Sequence, residues 1–131
     1  MSKKIRQALI SLSDKSDLES VLKILKKYNI KIISSGGTSK KIKKLGYGCK
    51  EISKFTKSSE ILGGRVKTLH PKIYAGILHK RSNKKHNKEL RINNYEEIDL
   101  IIVNFYPFEK TLKKTKKHET IIEILILAVQ L

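Results

Sequence analysis

The sequence predicts a single α/β domain with three layers around a mostly parallel sheet. Three observations carry this expectation. Residues 6–46 alternate strand-like and helix-like patterns in the order β-α-β-α, which sets successive strands parallel. Leu100-Ile101-Ile102-Val103 is an unbroken apolar, β-branched run, the pattern of a strand buried on both faces. The length, 131 residues, suits one domain with its own core.

The elements follow in order. Residues 6–12 are β-rich and end in the loop signal Ser13-Asp14-Lys15. Ser16-Asp17-Leu18-Glu19 reads as a capping box. Leu18, Val21, Leu22 and Leu25 then mark one face of a helix that Tyr28-Asn29 closes. Ile30–Ser34 is a short strand, followed by Ser35-Gly36-Gly37-Thr38 and a basic helix carrying Ile42 and Leu45 and ended by Gly46. Cys49–Ile52 reads as another short strand. Residues 53–69 read as irregular around the polar loop Gly63–Thr68. A helix is expected over Pro71–Leu78, with Pro71 in its first turn, and a surface helix and loop over 81–97. The run Lys113–Lys117 reads as a solvated loop or helix end. There is no internal repeat and no interdomain linker.

Composition excludes several function classes. The net charge is +17, from 29 basic and 12 acidic residues. Of the basic residues 25 are Lys and 4 are Arg, and Lys with Ile make up 44 of 131 positions. That bias is what drift toward an AT-rich genome produces, and the lysines are scattered without aromatic interleaving. No nucleic-acid partner is therefore expected. Cys49 is alone, which excludes an internal disulfide, and no Cys/His cluster has zinc-ligand spacing. No apolar run is long enough to span a bilayer, and no signal-peptide core follows Met1. The expected location is the cytoplasm, with no membrane partner.

Open α/β sheets bind ligands beyond the carboxyl ends of their strands. Three motifs fall there: Ser11–Lys15, Ser35–Thr38 and Asn104–Tyr106. Glycines at a helix start let backbone N–H groups approach an anion, so Ser35, Gly36, Gly37 and Thr38 suit a phosphate. Arg65 and Lys67 stand two apart on a glycine-led loop, where Arg can fork an anion and Lys can serve proton transfer. Tyr106 puts a phenol at a strand end, and His70 reads as a structural donor.

Together Ser13-Asp14-Lys15, Ser35-Gly36-Gly37-Thr38, Gly63-Gly64-Arg65-Val66-Lys67-Thr68-Leu69-His70-Pro71 and Asn104-Phe105-Tyr106-Pro107-Phe108 resemble, over residues 5 to about 123, the N-terminal IMP cyclohydrolase domain of the bifunctional purine biosynthesis family, which also carries AICAR formyltransferase. The resemblance implies a methylglyoxal synthase-like fold and closure of formylated AICAR (FAICAR) to IMP with loss of water. It implies no cofactor or metal for that step; a folate formyl donor would serve the formyltransferase domain, which is expected to be absent here. It implies a purine nucleotide substrate, a homodimer, and a nucleotide site lined by residues matching Ser13, Asp14, Lys15, Ser35, Gly36, Gly37, Thr38, Arg65, Val66, Thr68, Val103 and Asn104. Residues matching Lys67 and Tyr106 would contact the reacting base. R-V-K-T-L-H-P belongs to the cyclohydrolase pattern rather than to methylglyoxal synthase itself. An inactive nucleotide-binding remnant is the alternative reading, because part of the family's catalytic set is missing.

Past Glu123 the family reads N-I-D-I-G-G-P, with a catalytic Asp there and a Lys further on. This chain instead reads Ile124–Leu131. With suitable synonymous codons, loss of one A from an A-run converts the family segment into these residues and a stop. The domain is thus expected over residues 1–123 and incomplete at its C-terminus. Residues 124–131 are expected to be a frameshifted tail that packs poorly, lowers solubility and leaves little or no cyclohydrolase activity unless the frame is restored.

Overall fold

The computed structural model describes residues 4–64, 66–104 and 107–114. Strands β1 (Gln7–Ser11), β2 (Lys31–Ser34), β3 (Lys50–Glu51) and β4 (Leu100–Val103) form one sheet in the order β3-β2-β1-β4, every pair parallel. Helices α1 (Leu18–Lys27) and α2 (Gly36–Lys44) follow β1 and β2. Between β3 and β4 come α3 (Ile52–Thr56), a 3₁₀ turn at Leu62–Gly64, α4 (Pro71–Leu78) and α5 (Lys84–Ile92); α6 (Phe108–Lys114) follows β4.

The two-residue period of the strands divides the core. Ala8, Ile10 and Ile32 point to one face and meet Leu18, Leu22 and Leu25 of α1 and Ile42 of α2. Leu9 and Ile33 point to the other and meet Ile52 and Phe55 of α3, Ile73 of α4, and Ile98. The three-layer α/β expectation therefore holds. Each fully buried Leu of α1 contributes roughly 1.5–3 kcal/mol, which is why that helix docks where its leucines point. The helix ends where Asn29 turns left-handed (φ 55°) and Ile30 N donates to Leu25 O.

Three local expectations are corrected. Ser16 does not cap α1: Asp17 holds the N-cap position without a side-chain bond, and Ser16 N donates instead to Asp14 Oδ1. A neighbouring carboxylate thus outcompetes the capping box for the serine. The strand at Leu100–Val103 is not buried on both faces: Ile101 and Val103 are 41% and 43% exposed, while Leu100 and Ile102 pack on the α1/α2 side. β4 pairs only with β1 among the described residues, so an apolar run here marks an edge. The strand expected over Cys49–Ile52 is only Lys50–Glu51, because Ile52 already opens α3, a helix placed in a stretch that reads as irregular. Arg65, Tyr106, the end of the Lys113–Lys117 run and the tail at 124–131 lie outside the described residues.

One glycine is dictated by packing. Gly76 of α4 lies against the chain entering β4: its carbonyl accepts from Ile98 N at 3.0 Å, and a Cβ there would sit 2.7 Å from Glu96 O and 3.1 Å from Ile98 Cγ1. Gly76→Ala is therefore expected to lose about 1–3 kcal/mol of stability by overpacking, despite alanine's better helix propensity. A urea midpoint at or above that of the parent would contradict this.

Candidate functional site

The chain steps outward from β1 to β2 to β3 and then returns to place β4 on the other side of β1. The order reverses between β1 and β4, and at such a point the carboxyl ends of the strands leave a crevice. The segment after β1, the start of α2 after β2, and Asn104 after β4 all lie at these ends. They are tied together by side chains. Asn104 Oδ1 accepts from Ser13 N at 2.7 Å, and its Nδ2 donates to Asp14 O at 2.7 Å. Thr38 Oγ1 accepts from Leu12 N and donates to Leu12 O, both at 3.1 Å. Ser34 Oγ donates to Ile10 O at 2.6 Å, joining β2 to β1 just below.

Two ammonium groups flank the first turn of α2. Lys15 Nζ donates to Leu12 O at 2.7 Å and Ser13 O at 3.2 Å, and a Cβ on Gly37 would lie 3.9 Å from it. A Cβ on Gly36 would lie 3.8 Å from Lys67 Nζ. Lys67 arrives on a narrow hairpin. Ile61 and Val66 exchange N–H···O bonds of 3.2 and 3.3 Å, and Leu62, Gly63 and Gly64 between them all have positive φ. Glycine suits two of those three positions, so the glycine-led motif is what lets the hairpin close. Ser35 caps α2 in an extended conformation without a side-chain bond, and no acidic residue lies in the first turn. The positive end of the helix dipole and two lysines therefore converge on a turn that carries no carboxylate of its own, an arrangement suited to an anion. Asp14 stands beside them. Hydrogen bonds from the Ser16 backbone and hydroxyl, then the charges of Lys15 and Lys110, hold its carboxyl below the ordinary value.

The structure thus brings together Ser13, Asp14, Lys15, Ser35, Gly36, Gly37, Thr38, Lys67 and Asn104. Val66 sits in the hairpin bridge, Thr68 is buried, and Val103 ends β4 opposite Ser11. His70 proves to be an acceptor: its Nδ1 caps α4 by taking the Lys72 N–H at 3.1 Å. The grips of Thr38 and Asn104 on the loop backbone have no local sequence signal.

Next to Thr38, Ser39 belongs to a different cluster. Its hydroxyl donates to Glu51 Oε1, which also takes Lys43 Nζ at 2.8 Å, and Cys49 Sγ lies 3.7 Å from Ser39 Oγ. Burial pushes the Glu51 carboxyl up, but the bonds from Lys43 and Ser39 outweigh it and leave it below its usual value. Burial pushes the Cys49 thiol up. Because the thiolate is the nucleophile, Cys49 is expected to alkylate more slowly at pH 7.5 than free cysteine, its rate rising only above the usual thiol range. The sign for stability follows: the fold favours the neutral thiol, so this contribution is present below the ordinary thiol pKa and is lost as the pH rises through the higher folded value. Alkylation as fast as in unfolded chain would contradict both statements.

This fold is a parallel α/β domain with two lysines gathered at a helix start beyond its strand ends. The chain belongs to the MGS-like domain family, whose model matches residues 17–129. It is 48% identical over 117 residues to the bifunctional purine biosynthesis protein PurH of Prochlorococcus marinus strain MIT 9301, covering 88% of this chain and 23% of that protein. The PurH protein of P. marinus subsp. pastoris strain CCMP1986 / NIES-2087 / MED4 is 47% identical over the same shares. The chain therefore spans less than a quarter of the length of these curated relatives. A solved structure described as the crystal structure of ForH matches with a TM-score of 0.70 and 28% identity, over 77% of this chain and 51% of that one. The resemblance and the methylglyoxal synthase-like fold expected from the motifs are thus both met.

Proposed function

We propose that this chain binds a purine nucleotide and carries the IMP cyclohydrolase step, closing FAICAR to IMP, as part of a bifunctional AICAR formyltransferase / IMP cyclohydrolase system. The observation that carries the reading is the convergence of Lys15 and Lys67 on Gly36 and Gly37 at the reversal point of the sheet. Support comes also from the 47–48% identity to proteins named for purine biosynthesis. In this reading the nucleotide phosphate rests on the Ser35–Thr38 amides, and Lys67 and Tyr106 address the base. Ser13, Asp14, Lys15, Arg65, Val66, Thr68, Val103 and Asn104 complete the surroundings.

The reaction needs no cofactor or metal. The carboxamide nitrogen attacks the formyl carbon of the same molecule. The formyl oxygen then leaves as water with one proton from the carboxamide nitrogen and one from the formamide nitrogen. Holding two ends of one molecule in attack geometry supplies much of the acceleration. An ammonium beside the formyl oxygen stabilises the charge that develops there. In the same reading the chain acts as a cytoplasmic homodimer without nucleic-acid or membrane partners; among the described residues no helix is long and apolar enough to cross a membrane.

The test is a FAICAR turnover assay run beside an IMP titration. Binding is expected, with turnover once the frame past Glu123 is restored. Binding alone even then would reduce the reading to a nucleotide-binding remnant, and neither would overturn it.

A further inference from the structure

We propose that His79 and Glu97 form a proton-operated latch between the end of α4 and the chain entering β4: it closes when His79 Nε2 takes up a proton and opens when that proton leaves. Glu97 precedes β4, at the opposite end of the sheet from Lys15 and Lys67, and the latch does not rest on the nucleotide reading.

The ring of His79 closes α4, and its side chain is only 3% exposed. Nδ1 lies 3.2 Å from Ala75 O and 3.1 Å from Gly76 O. Carbonyl oxygens only accept, so Nδ1 carries a hydrogen whether the ring is neutral or charged. A neutral ring therefore presents a lone pair at Nε2. That atom is buried and has no hydrogen-bond partner among the described residues. Glu97 Oε1 faces it at 3.5 Å, another acceptor and too distant for a good hydrogen bond. Two acceptors held face to face repel, whereas one proton on Nε2 turns them into an imidazolium–carboxylate pair. Uptake takes the pair from one negative charge to none, and the carbonyl end of α4 favours a cation there. The backbone sets the approach. Gly76 O takes the Ile98 N–H at 3.0 Å, which lays Glu97 against the helix end, and Gln7 Nε2 donates to Glu97 O at 2.9 Å. The other charged groups nearby are engaged or open to solvent. Arg81 Nη2 donates to Ile98 O and meets Asp99 Oδ1, and exposed Lys80 gives its N–H to His86 Nδ1 of α5. Lys4, Arg6, Lys31, Glu96 and Asp99 line with Glu97 one open hollow of about 480 Å³. All of these are common to the parent and to a Glu97 variant, so a difference between the two reports the pair.

The test compares the parent with Glu97→Gln, whose amide can donate to the neutral ring and so needs no proton. Nitrogen-15 shifts of the His79 ring are followed by NMR across neutral pH. They are expected to show the hydrogen on Nδ1 at high pH and uptake at Nε2 as the pH falls. The parent is expected to take up that proton about 0.5–1 pH unit higher than Glu97→Gln does. A pair that binds the proton more tightly folded than unfolded contributes stability that is complete at low pH and lost as the pH rises. In urea titrations, the folded-to-unfolded ratio of the parent relative to Glu97→Gln should therefore drop about three- to tenfold from roughly pH 5.5 to roughly pH 8.5. In a His79→Gln background that drop should vanish. A neutral ring with its hydrogen on Nε2, uptake at the same pH in both chains, or a ratio that ignores pH would overturn the proposal. If His79→Gln does not fold, the ring titration decides alone. If Glu97→Gln does not fold, Glu97→Ala takes its place with the same expected shift, and its absence overturns the latch.

Discussion

Replacing Lys67 by alanine is expected to lower FAICAR cyclisation by about 10²–10³-fold, the scale seen when one preorganised donor to a developing oxyanion is lost. The thermal midpoint should stay where it is. The expectation rests on the proposed reaction and on where the lysine stands. Its ammonium comes within reach of Gly36, at the mouth of the crevice, on a hairpin that closes through the Ile61 and Val66 backbones rather than through its own side chain. Truncation leaves no cavity, because Lys67 belongs to neither apolar cluster. The effect should fall mainly on kcat if the ammonium acts on the reacting end, and mainly on KM if it only helps hold the phosphate. Unchanged turnover with unchanged melting would defeat the claim.

Much of this fold was legible because its pattern is local. The leucines of α1 repeat at helical spacing, the β-branched runs at 31–34 and 100–103 announce strands, and Pro71 marks the start of α4. What the pattern did not carry was the neighbourhood. Leu100–Val103 reads the same whether it sits in the middle of a sheet or at its edge; only the strand order decides that Ile101 and Val103 stay half exposed. Ser16 looks like a helix cap until Asp14, two residues away, claims its N–H. The candidate site divides in the same way. The glycines and lysines announce an anion site by their own chemistry. The bond from Ser13 to Asn104 joins residues 91 positions apart, and nothing local in either stretch foretells it. Arg65 and Tyr106, singled out by their chemistry and by the family resemblance, both lie outside the described residues.

Gly36→Val should weaken IMP roughly 10–100-fold, and Gly37→Ala distinctly less. Gly36 has φ +56°, a left-handed conformation that a β-branched residue adopts only at a cost of about 1–3 kcal/mol. The chain can relieve that strain by turning the peptide, which takes its N–H groups away from the position where a phosphate would rest. The new side chain also grows toward Lys67 Nζ, 3.8 Å from where its Cβ would be, and crowds the ammonium out of the first turn of α2. Strain and lost charge therefore act in the same direction, and together they correspond to the expected range in affinity. Gly37 differs on both counts. Its φ is not in the positive region, and a Cβ there meets Lys15 at 3.8 Å, an ordinary contact with a flexible side chain. If the phosphate instead binds elsewhere, the two variants should bind IMP alike and as well as the parent. Competition separates the cases further: inorganic phosphate should displace IMP from the parent, added salt should weaken both ligands by screening, and neither effect should survive in Gly36→Val. A Gly36→Val variant that melts normally and binds IMP with parental affinity would remove the phosphate from this turn.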